Sequence, residues 1–109
     1  MSNVEQLNSL DRVFGALSSQ KRRSMVYDLS FRPATVTRLA QDHELSLPAI
    51  HKHIRALEEA GLIVRKKVGR TNFVALHKRT LRETQEWIMQ FHTEWGNDEE
   101  SLENYIAGL

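Results

Sequence analysis

Between Thr35 and Leu76 the spacing of apolar residues changes character once, and that change constrains the fold more than any other feature of the chain. Behind Thr35, a residue type that caps helices, Val36, Leu39 and Ala40 recur at helical spacing over a short stretch. Behind Ser46, with Pro48 in the first turn, Ile50, Ile54, Leu57 and Ala60 do the same over a longer one. Asp42 to Leu45 join the two, which makes a helix-turn-helix. Gly61 stops the second helix. From Leu62 the residues become β-formers: Leu62 to Val68, a Gly69-Arg70-Thr71 turn, then Asn72 to Leu76. The spacing therefore predicts two successive short helices followed by a hairpin.

The flanks are helical by the same criterion. Ser2 and Glu5 are spaced as a capping box, and Leu7, Leu10, Val13, Phe14 and Leu17 follow at intervals of three and four, predicting an amphipathic helix over 3–17. Ser18 and Ser19 restart a helix over 20–30 with Met25, Val26 and Leu29 inward, and Pro33 ends it. A long helix over about 78–95 places Leu81, Trp87, Ile88, Phe91 and Trp95 on one face. Asn97 and Glu100 signal the start of a short acidic helix carrying Leu102, Tyr105 and Ile106. The expected fold class is mostly α with a small β-hairpin, a winged helix-turn-helix of order α-α-α-α-β-β-α plus a short C-terminal helix. With no repeat, low-complexity stretch or linker, 1–109 reads as a single domain whose helices 3–17 and 78–95 are available for dimerisation.

Charge is dealt unevenly along this pattern. Residues 83–109 hold seven acids and no Lys or Arg, whereas the first 82 residues hold all 15 basic residues against seven acids, a net of +8. Such an asymmetry suits a polyanion-binding body with an acidic segment turned away from the polyanion, although a solvated surface would look the same. The absence of cysteine removes disulfides, thiolate zinc sites and thiol redox sensing. Nothing approaches the roughly 20 apolar residues that span a bilayer, and the N-terminus has no basic start followed by an apolar run, so a cytoplasmic location without membrane insertion is expected. There is no Gly-rich phosphate loop, no Gly-x-Ser-x-Gly elbow and no cysteine nucleophile, so neither catalytic residues nor cofactors are expected.

A helix of about four turns fits the roughly 12 Å wide major groove of duplex DNA, and a basic hairpin tip reaches an adjacent groove or the backbone. Both elements are basic here. The helix over 46–60 carries His51, Lys52, His53 and Arg55, with Ser46, Pro48 and Ala49 at its N-terminus, and the hairpin carries Arg65, Lys66, Lys67 and Arg70. Lys21, Arg22, Arg23 and Arg38 are candidates for phosphate contacts. His53, three residues after Ile50 and four before Leu57, falls on the flank of the buried stripe and is expected to be half packed. Two other readings use the same fold. A protein-interaction module would expose apolar anchors on the 46–60 helix rather than His51, Lys52 and Arg55. A single-stranded nucleic acid binder would want stacking aromatics, for which the basic region offers Tyr27, Phe31 and Phe73.

The stretch Phe14 to Leu76 resembles the ArsR-type repressors, through Phe-Gly-Ala-Leu-Ser (14–18), Lys-Arg-Arg (21–23), Val-Thr-Arg-Leu-Ala (36–40), Leu-Ser-Leu-Pro-Ala-Ile-His-Lys-His-Ile (45–54) and Leu-Glu-Glu-Ala-Gly-Leu-Ile (57–63). Ser-Leu-Pro-Ala (46–49) and the paired tryptophans are similar to a cysteine-free branch of that family. The resemblance implies a homodimer held by the first and last long helices, binding a pseudo-palindromic operator, with repression relieved by an inducer or a protein antagonist. Leu7, Leu10, Phe14, Trp87, Ile88, Phe91 and Trp95 are the expected dimer contacts, being more apolar surface than a three-helix core needs, although they could instead pack on one another within one chain. Two recognition helices would then enter successive major grooves about 34 Å apart. The chain departs from its metal-sensing relatives. Ala34, Thr35, Val36 and Thr37 stand where those carry Cys-x-Cys, and on the last long helix Leu81, Arg79 and Trp95 replace residues of a second metal site, leaving only His77 and His92 as nitrogen ligands. No metal is expected. Glu44 stands at a turn position often occupied by Gly in relatives, where a positive φ would cost about 1 kcal/mol.

Overall fold

The computed structural model describes residues 3–91 and 98–109. In chain order the elements are α1 (Asn3–Leu17), α2 (Gln20–Leu29), β1 (Ala34–Thr35), α3 (Val36–Asp42), α4 (Leu47–Glu59), β2 (Ile63–Val68), β3 (Thr71–Leu76), α5 (Lys78–Met89) and α6 (Asp98–Ala107). The helix starts follow local chemistry. The side chains of Ser19, Thr35 and Ser46 each accept a hydrogen bond from the backbone N–H three residues on, which opens α2, α3 and α4.

One core runs through the helices and under the sheet. Met25 of α2, Leu39 of α3, Ile50, Ile54 and Leu57 of α4, Leu62 and Val74 are all essentially inaccessible to water, joined by Val13 and Ala16 of α1. Full burial of side chains of this size stabilises by about 1.5–3 kcal/mol each, so α4 is held by its apolar stripe and its opposite side is left to solvent. Ile50, Ile54 and Leu57, spaced four and three apart, are that stripe.

The two helices of the helix-turn-helix end alike. At α3, Leu45 N–H donates to Ala40 O at 2.9 Å and Glu44 N–H to Gln41 O at 3.2 Å; at α4, Leu62 N–H donates to Leu57 O and Gly61 N–H to Glu58 O, both at 2.9 Å. These paired bonds are Schellman closures, which need a left-handed residue after the cap. Gly61, at φ +72°, takes that conformation without steric cost, and Glu44 takes it at φ +54°.

The sheet has three antiparallel strands in the order β1-β3-β2. The hairpin is tighter than the sequence suggested: Val68 pairs with Thr71, leaving Gly69-Arg70 as a two-residue connection with Gly69 at φ +63°. β1 was not expected. Ala34 and Thr35 pair with Val74 and Phe73, so the segment entering α3 is tied to the hairpin's inner strand.

The C-terminal long helix is shorter than its apolar spacing predicts. α5 ends at Met89, with Gln90 as its cap, rather than near residue 95, and Trp95 lies outside the described residues, as does His92. Leu10, expected at a dimer contact, is buried within the chain, because with Val13 it sits on the α1 side that faces the body. No described helix is long and apolar enough to cross a membrane.

Candidate nucleic-acid interface

With its apolar side in the core, α4 presents Pro48, Lys52 and Arg55 to solvent, and Leu47 is half exposed at its first turn. Ser46 is spent on the cap, accepting from Ala49 N–H at 3.3 Å, which fixes the N-terminus of α4 as a rigid edge with outward N–H groups. His51 and Ala49 are partly buried. His51 faces the hairpin across a cleft that Thr37 and Leu47 share with Arg70 and Asn72, so the structure brings the exposed side of α4 and the hairpin tip to one surface. Lys67, exposed on β2, is paired directly with Asn72 and adds its ammonium to that surface.

The other basic residues divide into two groups. Arg38 is exposed on α3, and its Nε holds both carboxylate oxygens of Asp42, at 3.1 and 3.2 Å. Arg22, in contrast, does not join the α4–hairpin surface. Its Nε donates to Ala16 O at 2.6 Å, its Nη2 to Gly15 O at 3.4 Å, and its Nη1 contacts His53 Nδ1 at 3.3 Å. All three guanidinium nitrogens thus face internal acceptors. Its neighbours behave alike: Arg23 Nη1 donates to Leu17 O at 2.8 Å and Lys21 Nζ to His43 O at 3.2 Å. The Lys-Arg-Arg run is therefore the C-terminal cap of α1, placing cations on carbonyls that carry the negative end of a helix dipole, and a tie from α2 to the turn of the helix-turn-helix.

Arg65, although exposed on β2, is likewise tied to a partner within the chain. Its Nη2 and Nε reach Glu58 Oε1 and Oε2 at 2.6 and 3.3 Å, a bidentate strut between α4 and β2. Sequence spacing assigned Arg65 and Glu58 to different elements and gave no sign of their meeting.

His53 is half buried, as its place on the flank of the stripe predicts. Burial, then the charges of Arg22, Lys52, Lys21 and His43, hold its pKa below the ordinary histidine value. A guanidinium has no acceptor, so His53 Nδ1 accepts from Arg22 and the ring is neutral. His53 thus supports Arg22. Among the described residues no cluster of His, Cys, Asp or Glu could hold a metal ion.

This geometry has close counterparts. The sequence profile of the family described as "Bacterial regulatory protein, arsR family" matches residues 19–64. The transcriptional repressor SdpR of Bacillus subtilis strain 168 is 26% identical over 89 residues, covering 82% of this chain and 99% of its own. A crystal structure of an ArsR family transcriptional regulator superposes with a TM-score of 0.70 at 36% identity, over 82% of this chain and 89% of the other. An ArsR-like transcriptional regulator from Rhodococcus sp. RHA1 gives a TM-score of 0.72 at 29% identity, over 79% and 81% of the two chains.

Proposed function

The chain belongs to the ArsR family of bacterial regulatory proteins, and we propose that it is a dimeric, sequence-specific repressor that docks α4 in the major groove of duplex DNA. The observation that carries this reading is the separation of roles among the basic residues: Lys52 and Arg55 on α4 and Lys67 and Arg70 on the hairpin are exposed and make no hydrogen bond or ion pair among the described residues, while Lys21, Arg22, Arg23 and Arg65 are each held by an acceptor within the chain. Other cations, among them Arg32, Lys78 and Arg82, are exposed as well; those of α4 and the hairpin are set apart because their two elements meet at one surface.

In this reading Lys52, Arg55, His51 and Ala49 meet base edges and phosphates, Ser46 and Pro48 set the N-terminus of α4 against the backbone, and Lys67 and Arg70 reach the neighbouring groove. Arg38 supplies a phosphate contact at the edge. Arg22 acts through position, by holding α1 and α4 together. Repression follows from occupancy, as the name of the Bacillus subtilis relative suggests, with the bacterial cytoplasm as the place of action. No catalytic step belongs to this scheme.

The second copy would be recruited by apolar surface on the terminal helices. Val4, Leu7 and Phe14 of α1 are 66%, 53% and 40% exposed, and Ile88, Met89 and Phe91 at the end of α5 are 51%, 67% and 68% exposed. Phe14 meets Trp87, and Trp87 meets Phe91, edge to face at centroid distances of 5.8 and 4.7 Å, which makes the two patches continuous.

The test is fluorescence anisotropy with a duplex from upstream of the protein's own gene beside a scrambled duplex, across several salt concentrations. Tighter binding to the upstream duplex with a steep loss of affinity as salt rises is the expected result, because each neutralised phosphate releases counterions. No binding to either duplex at low salt overturns the reading and favours a protein-interaction module.

A further inference from the structure

α5 packs on the body through an unusual face. Leu81 packs on the core, but on the side of that helix that carries Thr80, Thr84 and Trp87 two of the three positions are small polar residues. Thr84 is buried and donates to Thr80 O at 2.8 Å, while Thr80 Oγ1 donates to Gly61 O at 2.6 Å, so neither side chain extends toward α1. What remains between α1, the α4–β2 junction and α5 is a cleft of about 390 Å³, a volume in the range of small-ligand pockets. Leu10 and Val13 line it from α1 and Trp87 from α5.

The electrostatics of the cleft favour one sign of occupant. Three carboxylates line it, Glu59, Glu83 and Glu86, against the single guanidinium of Arg12. Glu83 is held by Arg79 at 3.0 Å, whereas Glu59 and Glu86 make no ion pair among the described residues. The C-terminal end of α4, at Glu59, Ala60 and Gly61, forms the third wall and contributes the negative end of a helix dipole. A cation is attracted by the carboxylates and the helix end, which outweigh Arg12, and an aromatic or alkyl body finds Leu10, Val13 and the Trp87 ring.

We propose that this cleft is an effector site for a small organic cation with an apolar body, an ammonium compound rather than a metal ion or an anion. This rests on the regulator reading above for its consequence but not for binding itself. The occupant would touch Glu59 to Gly61, where α4 passes into the hairpin, and also α1 and α5, which carry the proposed dimer surface. Occupancy thereby biases the orientation of the recognition helix relative to the dimer, and it weakens DNA binding.

The test uses benzyltrimethylammonium as the cationic probe, phenylacetate as the anionic control and benzyl alcohol as the neutral one, on the full chain. Amide NMR should show saturable shifts at Gly61, Thr84 and the Trp87 indole N–H with the cation, at least about fivefold tighter than with either control. The exposed double variant Glu59→Gln with Glu86→Gln should bind the cation about tenfold more weakly at an unchanged thermal midpoint. In anisotropy against the upstream duplex, the cation should weaken the wild type about fivefold beyond a sodium chloride control of equal ionic strength, and leave the double variant unaffected. No saturable shift up to about 10 mM, or equal affinity for phenylacetate, overturns the site. Cation binding without an effect on DNA affinity overturns its effector role. A chain that binds the cation but no duplex under any condition sustains the site and overturns the regulator reading instead.

Discussion

Glu44 occupies a conformation that suits glycine, at φ +54°, because the Schellman closure of α3 must reverse the chain within the turn before α4. A side chain there costs about 1–2 kcal/mol relative to a residue without a Cβ, partly offset by the greater freedom glycine has in the unfolded chain. Glu44→Gly is therefore expected to raise the urea midpoint, corresponding to about 0.5–1 kcal/mol, without altering DNA affinity at matched salt. A lower midpoint would show that the Glu44 side chain makes a compensating contact. A second residue-scale effect comes from His53, whose pKa is lowered chiefly by burial and then by Arg22. The unfolded chain takes up a proton near pH 6.5 while the folded chain resists it, so the contribution is intact above that value and is lost as pH falls through it. Urea midpoints measured from about pH 7.5 to about pH 5.5 should fall more steeply for wild type than for His53→Gln; equal slopes would mean that the ring protonates freely in the folded state.

At the scale of elements, what the sequence made legible was whatever depends on neighbours within a turn. The caps at Ser19, Thr35 and Ser46 and the stop at Gly61 follow from local chemistry and stand where the spacing placed them, and the hairpin about Gly69 differs only in that Thr71 belongs to its strand and not to its turn. β1 was hidden because two residues carry no alternation, and its partner strand lies almost forty positions on. α5 stops at Met89 although Phe91 continues the helical spacing beyond it. The basic residues were legible as cations but not as to their destinations. Arg22, expected on phosphates, is bound to α1 carbonyls six and seven residues earlier, whereas Lys52 stands in solvent on α4. Single substitutions separate these roles. Arg22→Ala should cost about 1–2 kcal/mol of stability, by uncapping α1, and leave the salt slope of DNA binding unchanged. Lys52→Ala should leave stability within about 0.5 kcal/mol and reduce that slope by about one. The opposite pattern in urea melts and salt titrations would return Arg22 to the interface.

At the scale of the molecule, the apolar residues expected to hold a dimer are divided by depth. Leu10 is spent on the chain's own core, while Leu7, Phe14, Ile88 and Phe91 remain largely in water, and Trp87 bridges the patches from a half-buried position. That division turns the dimer proposal into a contrast between two substitutions on one helix. A charge at Leu7 meets solvent in an isolated chain and meets apolar surface in a dimer, so Leu7→Glu should leave the far-ultraviolet spectrum intact while sedimentation shifts from dimer to monomer. Because each half-site holds the other in place, DNA affinity should fall by about 100-fold or more with it. Leu10→Glu places the same charge among Val13 and the α5 face, where burial of an unpaired carboxylate is costly, and should instead unfold the chain or sharply lower its midpoint. If Leu7→Glu remains a dimer, the seam does not run along this face of α1. The α5 patch of Ile88, Met89 and Phe91 would then have to carry the association without it.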